Sequence, residues 1–193
     1  MKRIGLLLGV VIMLCSTQIL QAKVRKDIPD WTLGAGIAYG SNLPAWGYHF
    51  KLHHVFSNLI SAGPEFTYFR PVIFHSDPIL SDYMLVYTSR LDIIASTRIP
   101  FKVYGGFFSI YPVVGISFFN QHFEFVPKSS GSDNPFNSKG VVLGANFQIP
   151  VIKWGKHGSH IAMIGEYRYS TSKLSNHTLT CGLNYFFFLK EMP

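Results

Sequence analysis

Apolar and polar residues alternate along most of this chain with a period of two. The clearest run is His177 to Phe187, with Leu179, Cys181, Leu183, Tyr185 and Phe187 on one face and Thr178, Thr180, Gly182 and Asn184 on the other. A period of two belongs to a β-strand, whose successive side chains point to opposite sides. Seven earlier runs share it. Trp31 to Gly40 sets Trp31, Leu33, Ala35, Ile37 and Tyr39 against the small residues Thr32, Gly34, Gly36, Ala38 and Gly40. Trp46 to about His53 sets Tyr48, Phe50 and Leu52 against His49, Lys51 and His53. Ile60 to Phe69 carries Phe66 and Tyr68 opposite Glu65 and Thr67. Tyr83 to Ile99 carries Leu85, Tyr87, Leu91, Ile93 and Ala95 opposite Thr88, Arg90, Asp92, Ser96 and Arg98. Ser109 to Phe119 is interrupted by Pro112, a residue that prefers strand ends or bulges. Lys139 to Ile149 and His160 to Ser170 complete the set, with Gly144, Asn146, Gln148, Glu166 and Arg168 on their polar faces.

Strands with one apolar and one polar face suit a wall between lipid and a packed polar interior. An even number of them can close first on last, leaving no edge for lipid to meet. The prediction is therefore an all-β chain, an eight-stranded antiparallel up-and-down transmembrane β-barrel. With a periplasmic N-terminus, the external connections fall at Ser41 to Ala45, Arg70 to Asp82, Asn120 to Ser138 and Thr171 to Asn176. The third is the longest and is rich in turn-forming residues from Lys128 onward. It is the expected contact surface. The periplasmic connections fall near Val55 to Leu59, Pro100 to Phe108 and Pro150 to Ser159, and the last two are long for turns.

Composition narrows the picture. Aromatic residues make up 16% of the chain and charged residues only 14%, against about 25% charged in an average soluble domain. Lys2 and Arg3 precede an uncharged run from Ile4 to Leu14, too short to span a bilayer as a helix. Residues 1–22 thus read as a secretory signal peptide ending at Ala22, and 23–193 as the barrel domain. Cys15 raises a lipoprotein alternative, but Leu14 stands where a small residue is needed. Cleavage would remove Lys2 and Arg3, lowering the formal charge of +7 by two, and leave Cys181 without a disulfide partner. The basic excess is scattered, not clustered, which argues against nucleic-acid binding.

The inward charges form the best chemical constellation. Lys51, Arg90, Arg98 and Arg168 supply four bases; Glu65, Asp92 and Glu166 supply three acids. Unpaired charge in a narrow, dry lumen is costly, so these groups are expected to pair as a luminal charge network. A proton relay and a small polar pore are the competing uses. His49 and His53 share a face but lie about 13 Å apart along a strand, too far to chelate one metal alone. His157 and His160 are closer but lack a clear third ligand. No catalytic residue, cofactor or metal is assigned. Gly34, Gly36 and Gly40 have the wrong spacing for a nucleotide loop, and the Asn176-His-Thr178 sequon has no use in a bacterial outer membrane. Trp31, Trp46, Tyr48, Tyr68, Tyr83, Tyr167, Tyr169 and Tyr185 read as interfacial girdles.

Four stretches bear a family likeness: Gly34-Ala-Gly36-Ile-Ala-Tyr39, Gly63-Pro-Glu65-Phe-Thr-Tyr68, Glu166-Tyr-Arg168-Tyr169 and Gly182-Leu-Asn184-Tyr185-Phe186. Through them the chain resembles the small eight-stranded outer-membrane barrels of the OmpA/OmpX type. The likeness implies a monomer of the bacterial outer membrane, in contact with its lipids and with the barrel-assembly machinery. It implies a structural or surface-interaction role carried by the external loops, without an enzyme activity. The runner-up is a lipid A-modifying hydrolase. The lipid A deacylases carry a His-x-Ser-Asn motif before the last strand, and the stretch here is Arg168-Tyr169-Ser170-Thr171. Only the serine matches, and a permanently charged arginine cannot act as its base. A small channel is the third reading.

Overall fold

A computed structural model describes residues 30–41, 44–57, 60–75, 83–103, 106–126, 136–154, 159–172 and 176–188. Residues 1–22, the segment expected to be a signal peptide, lie outside these residues. Nine strand segments run in chain order: β1 Trp31–Gly40, β2 Ala45–Val55, β3 Ile60–His75, β4 Tyr83–Thr97, β5 Ile99–Val103, β6 Gly106–Val126, β7 Phe136–Trp154, β8 Ser159–Ser170 and β9 Asn176–Phe187. All pairings between them are antiparallel. The spatial order is β4-β3-β2-β1-β9-β8-β7-β6-β5, and an added β4–β6 ladder closes the sheet on itself.

β4 and β5 form one stave of the wall. Ser96 faces Val113 and Ile99 faces Ile110, so the two ladders on β6 share one register. The gap between them falls opposite Pro112, which has no backbone N–H to donate. The result is the eight-stranded barrel that the alternation predicts. Pro112 does not end its strand: β6 runs through it and Pro112 still faces Ala145 on β7.

The faces follow the sequence pattern. Leu33, Phe50, Ile93, Ile116, Leu143, Met163 and Leu183 are exposed on the outside, and lipid is the solvent that makes such a belt favourable. Aromatic pairs bound it: Trp31 with His54 and Tyr185 with Phe187 at the end holding the strand termini, Tyr39 with Trp46 at the other. The inward residues of β1 are small because they must be. A Cβ at Gly34 would run into the Lys51 side chain and Asn184 Oδ1.

The expected loop boundaries need correction. β3 continues through Arg70 to His75, β6 through Asn120 to Val126, and β7 starts at Phe136. Much of two expected external connections is therefore strand; residues 76–82 and 127–135 lie outside the described ones. At the other end the excess length also goes into strands, with ladders reaching Val103 opposite Gly106 and Trp154 opposite Ser159.

The extensions at the first of these ends are all on one side of the barrel. The β1–β2 ladder stops at Gly40 opposite Ala45, and the β8–β9 ladder at Ser170 opposite Asn176. The top pair between β2 and β3 is Gly47 with Phe69, and that between β7 and β8 is Val142 with Ser170. Beyond those pairs β3, β4, β6 and β7 stay paired with one another. They form a four-stranded wall rising past the rim at the external end, the end with the longer hairpins. A β-bulge at Arg70 and Pro71 marks its base on β3.

Candidate functional site

The lumen holds the densest chemistry. Arg168 on β8 reaches across to Glu65 on β3, with Nη2 2.8 Å from Oε2. Four strand steps separate β8 from β3 in either direction round the barrel, so this pair spans a diameter. The same Nη2 lies 3.2 Å from Glu166 Oε2, and Nη1 donates to Asn146 Oδ1 at 2.7 Å. Lys51 on β2 pairs with Glu166 through the space that Gly34 leaves. A second strut crosses nearby: Arg90 on β4 donates to Thr178 on β9 at 2.6 Å, while its Nε lies 3.0 Å from Asp92 Oδ2. Ser117 donates to Asp92 at 2.6 Å, and Phe119 stacks against the Arg90 guanidinium.

Six of the seven charged residues singled out in the sequence meet here as three acids and three bases. The seventh, Arg98, is held elsewhere, donating through Nε to Ser109 Oγ at 3.0 Å. Every member of the six is essentially buried. A buried charge that loses its partner is expensive, so such a set holds its geometry.

Two inward histidines, which the sequence reading left outside the charge network, join the cluster. His49 Nε2 lies 3.5 Å from Glu65 and 3.4 Å from Glu166, while Nδ1 is 2.9 Å from Thr67 Oγ1. His53 Nε2 lies 3.0 Å from Glu65 Oε1. The signal was the run His49, Lys51, His53 on one inward face. The acids they meet could not be chosen without the register of β3 and β8.

His49, Glu65 and Glu166 bring three ligand atoms within 4.8 Å of one another. They are the residues best placed to hold a metal. Lys51 and Arg168 already stand on those two carboxylates, however, so a cation would have to displace a positive side chain. His160 stacks on Phe186 at 4.3 Å, and His157 lies outside the described residues. Ser170, the serine that matched the deacylase motif, is buried, and its Oγ accepts the Ser172 amide at 3.4 Å. Its would-be base, Arg168, is committed to Glu65 and Glu166.

No protein-family model matches the chain, and no curated protein matches it. Solved structures do. Ail, the attachment invasion locus protein of Yersinia pestis, is 16% identical with a TM-score of 0.51, covering 81% of this chain and 96% of that one. Ail in complex with the heparin analogue sucrose octasulfate gives 0.53 at the same identity and coverage. The N-terminal β-barrel domain of Pseudomonas aeruginosa OprF is 10% identical with a TM-score of 0.53, covering 82% of this chain and 98% of that one. These likenesses are of fold. Joined to the outward apolar belt and the polar, charge-filled lumen, they give the chain the small eight-stranded β-barrel fold of these outer-membrane proteins.

Proposed function

We propose that this barrel is a non-enzymatic scaffold that presents a rigid surface outside the cell for contact with an external partner. The observation that supports this is the four-stranded wall of β3, β4, β6 and β7. A sheet extended past the rim is a costly way to make a turn but a direct way to hold a surface away from the membrane. Among the described residues, no ladder joins Arg70–His75 of β3 to β2, or the 136–139 stretch of β7 to β8. Strand segments that continue past their neighbours' ladders are places where another chain's strand can be added.

Two features weigh against the alternatives. Arg168 with Glu65 and Arg90 with Thr178 span the lumen, which disfavours a steady ion path. Ser170 points inward, away from lipid, which disfavours attack on a lipid ester. The partner class is open. Because one Ail structure holds a heparin analogue, immobilised heparin and an uncharged polysaccharide control are the first surfaces to assay.

Cells displaying the intact chain are compared on those surfaces with cells displaying a form trimmed of residues 73–84 and 124–135. The proposal expects adhesion by the intact form and its loss in the trimmed, still folded form. Equal adhesion by both, or none above empty cells, contradicts it.

A further inference from the structure

The four-stranded wall has two edges, and they suit each other. Three antiparallel steps lead from β3 through β4 and β6 to β7, so the edge strands run in opposite directions. The wall takes four of the eight staves, which sets its edges half a turn apart, facing away from each other across the barrel.

Each edge becomes free at the rim. On β3 the bulge at Arg70 and Pro71 ends the pairing with β2, and Val72 to His75 continue above it without a proline. On β7 the turn after β8 covers the edge as far as Gly140. The Thr171 amide donates to the Val141 carbonyl, and a Cβ on Gly140 would strike the Ser172 backbone. Above Gly140, no described residue is laddered to residues 136–139 on that side. The free part of β3 is apolar on both faces. Ile73 points outward and is 55% exposed; Phe74, on the inward face with Val72, is 40% exposed. A strand edge in water with apolar groups on both faces is a site for pairing with another strand.

We infer that the partner of this edge is the β7 edge of a second copy of the chain in the same membrane. The inference rests on reading the wall's edges as places where a strand can be added. A shared membrane fixes the height and the upright direction of both copies. β3 runs toward the external end and β7 away from it, so β3 of one copy and β7 of its neighbour meet antiparallel. Two β3 edges related by an axis along the membrane normal would meet in parallel, the less stable ladder. Both edge strands are already extended and held by the wall, so their pairing orders no new segment, unlike the capture of a loose peptide. Phe74 then lies opposite inward Phe136, and outward Ile73 opposite Asn137. The two edges differ and face opposite ways, so the contact does not close on itself. It repeats from copy to copy and builds rows of complete barrels.

Cross-linking tests the row. Two tagged forms of the chain, both carrying Cys181→Ser, are produced together in one outer membrane and oxidised. One carries Ile73→Cys and the other Asn137→Cys. The pairing predicts a disulfide-linked dimer of the two tags, and a ladder of higher multiples from one chain carrying both cysteines. Three controls should stay at the level of the chain without added cysteine: Ile73→Cys alone, Asn137→Cys alone, and Ile73→Cys with His122→Cys, an exposed position inside the wall. Heat-modifiable migration on a gel checks that each form is folded. No 73–137 dimer above that level, an equal yield with residue 122, or a 73–73 dimer overturns the inference. Adhesion of the intact chain to immobilised heparin without the cross-link overturns the row alone. The cross-link without adhesion overturns the adhesive reading alone.

Discussion

The barrel's belt and its projecting wall are built from the same strands with opposite faces turned to the apolar side. On β6, Val114, Ile116 and Phe118 point outward in the belt, and buried Ser117 points into the lumen. A few residues further, Asn120, His122 and Glu124 take the outward positions, and Phe119, Gln121 and Phe123 the inward ones, while Phe125 near the end of the strand is exposed. β7 repeats the change, from outward Leu143 and Phe147 to outward Asn137 and Lys139 beside inward Phe136. The backbone register runs unbroken through it. The solvent has changed, not the strand. In lipid the outer face must be apolar; in water the sheet shelters its apolar groups on the concave side. β3 and β4 invert less fully, since Ile73 and Leu85, which face each other across the ladder, stay outward above the rim, with Val72 and Met84 on the inward face.

The largest effects that distinguish the two regions belong to the lumen below the wall. Glu65→Gln leaves Arg168 without its diametric partner, and a broken buried pair costs roughly 3–5 kcal/mol. Urea unfolding of the barrel in lipid vesicles should report a loss of that size. A double-mutant cycle between Lys51 and Glu166 should show real coupling, and additive effects would reduce this pair to chance proximity.

The belt comes next. Leu183→Arg puts a charge near mid-bilayer and should cost roughly 2–4 kcal/mol, whereas inward Asn184→Ser should cost far less. Equal losses would reject the face assignment. The wall should be the most tolerant. A charge at outward His122 or Asn137 meets water, so His122→Arg should stay within about 0.5 kcal/mol of the parent. A penalty matching Leu183→Arg would put that position in lipid and erase the difference between the regions.

Legibility in the sequence divides along the same line. β1 and β9 were readable nearly to the residue because their alternation has one sign throughout and small turns bound it. β3, β6 and β7 read short. On β6 and β7 the sign of the alternation reverses at the rim, and His122, Glu124 and Asn137 then look like loop residues. On β3 the bulge at Arg70 and Pro71 breaks the period. In the lumen, inward orientation was legible for all seven charged residues, since it follows from alternation alone. Their partners were not. Glu65 and Arg168 are separated by 103 residues and meet only because closure sets β3 opposite β8. His49 and His53 were visible as inward groups, but their place against Glu65 and Glu166 depends on that same closure.

Spin labels along the outward positions of β6 test the inversion most directly. Single cysteines at residues 114, 116, 118, 120, 122 and 124 are introduced into a Cys181→Ser chain, labelled and reconstituted in a bilayer. Power saturation then compares collisions with oxygen, which favours lipid, and with a nickel chelate, which stays in water. The account predicts that oxygen dominates at 114, 116 and 118 and the chelate at 120, 122 and 124. Oxygen dominance continuing through 124 would put the whole strand in lipid and contradict the inversion.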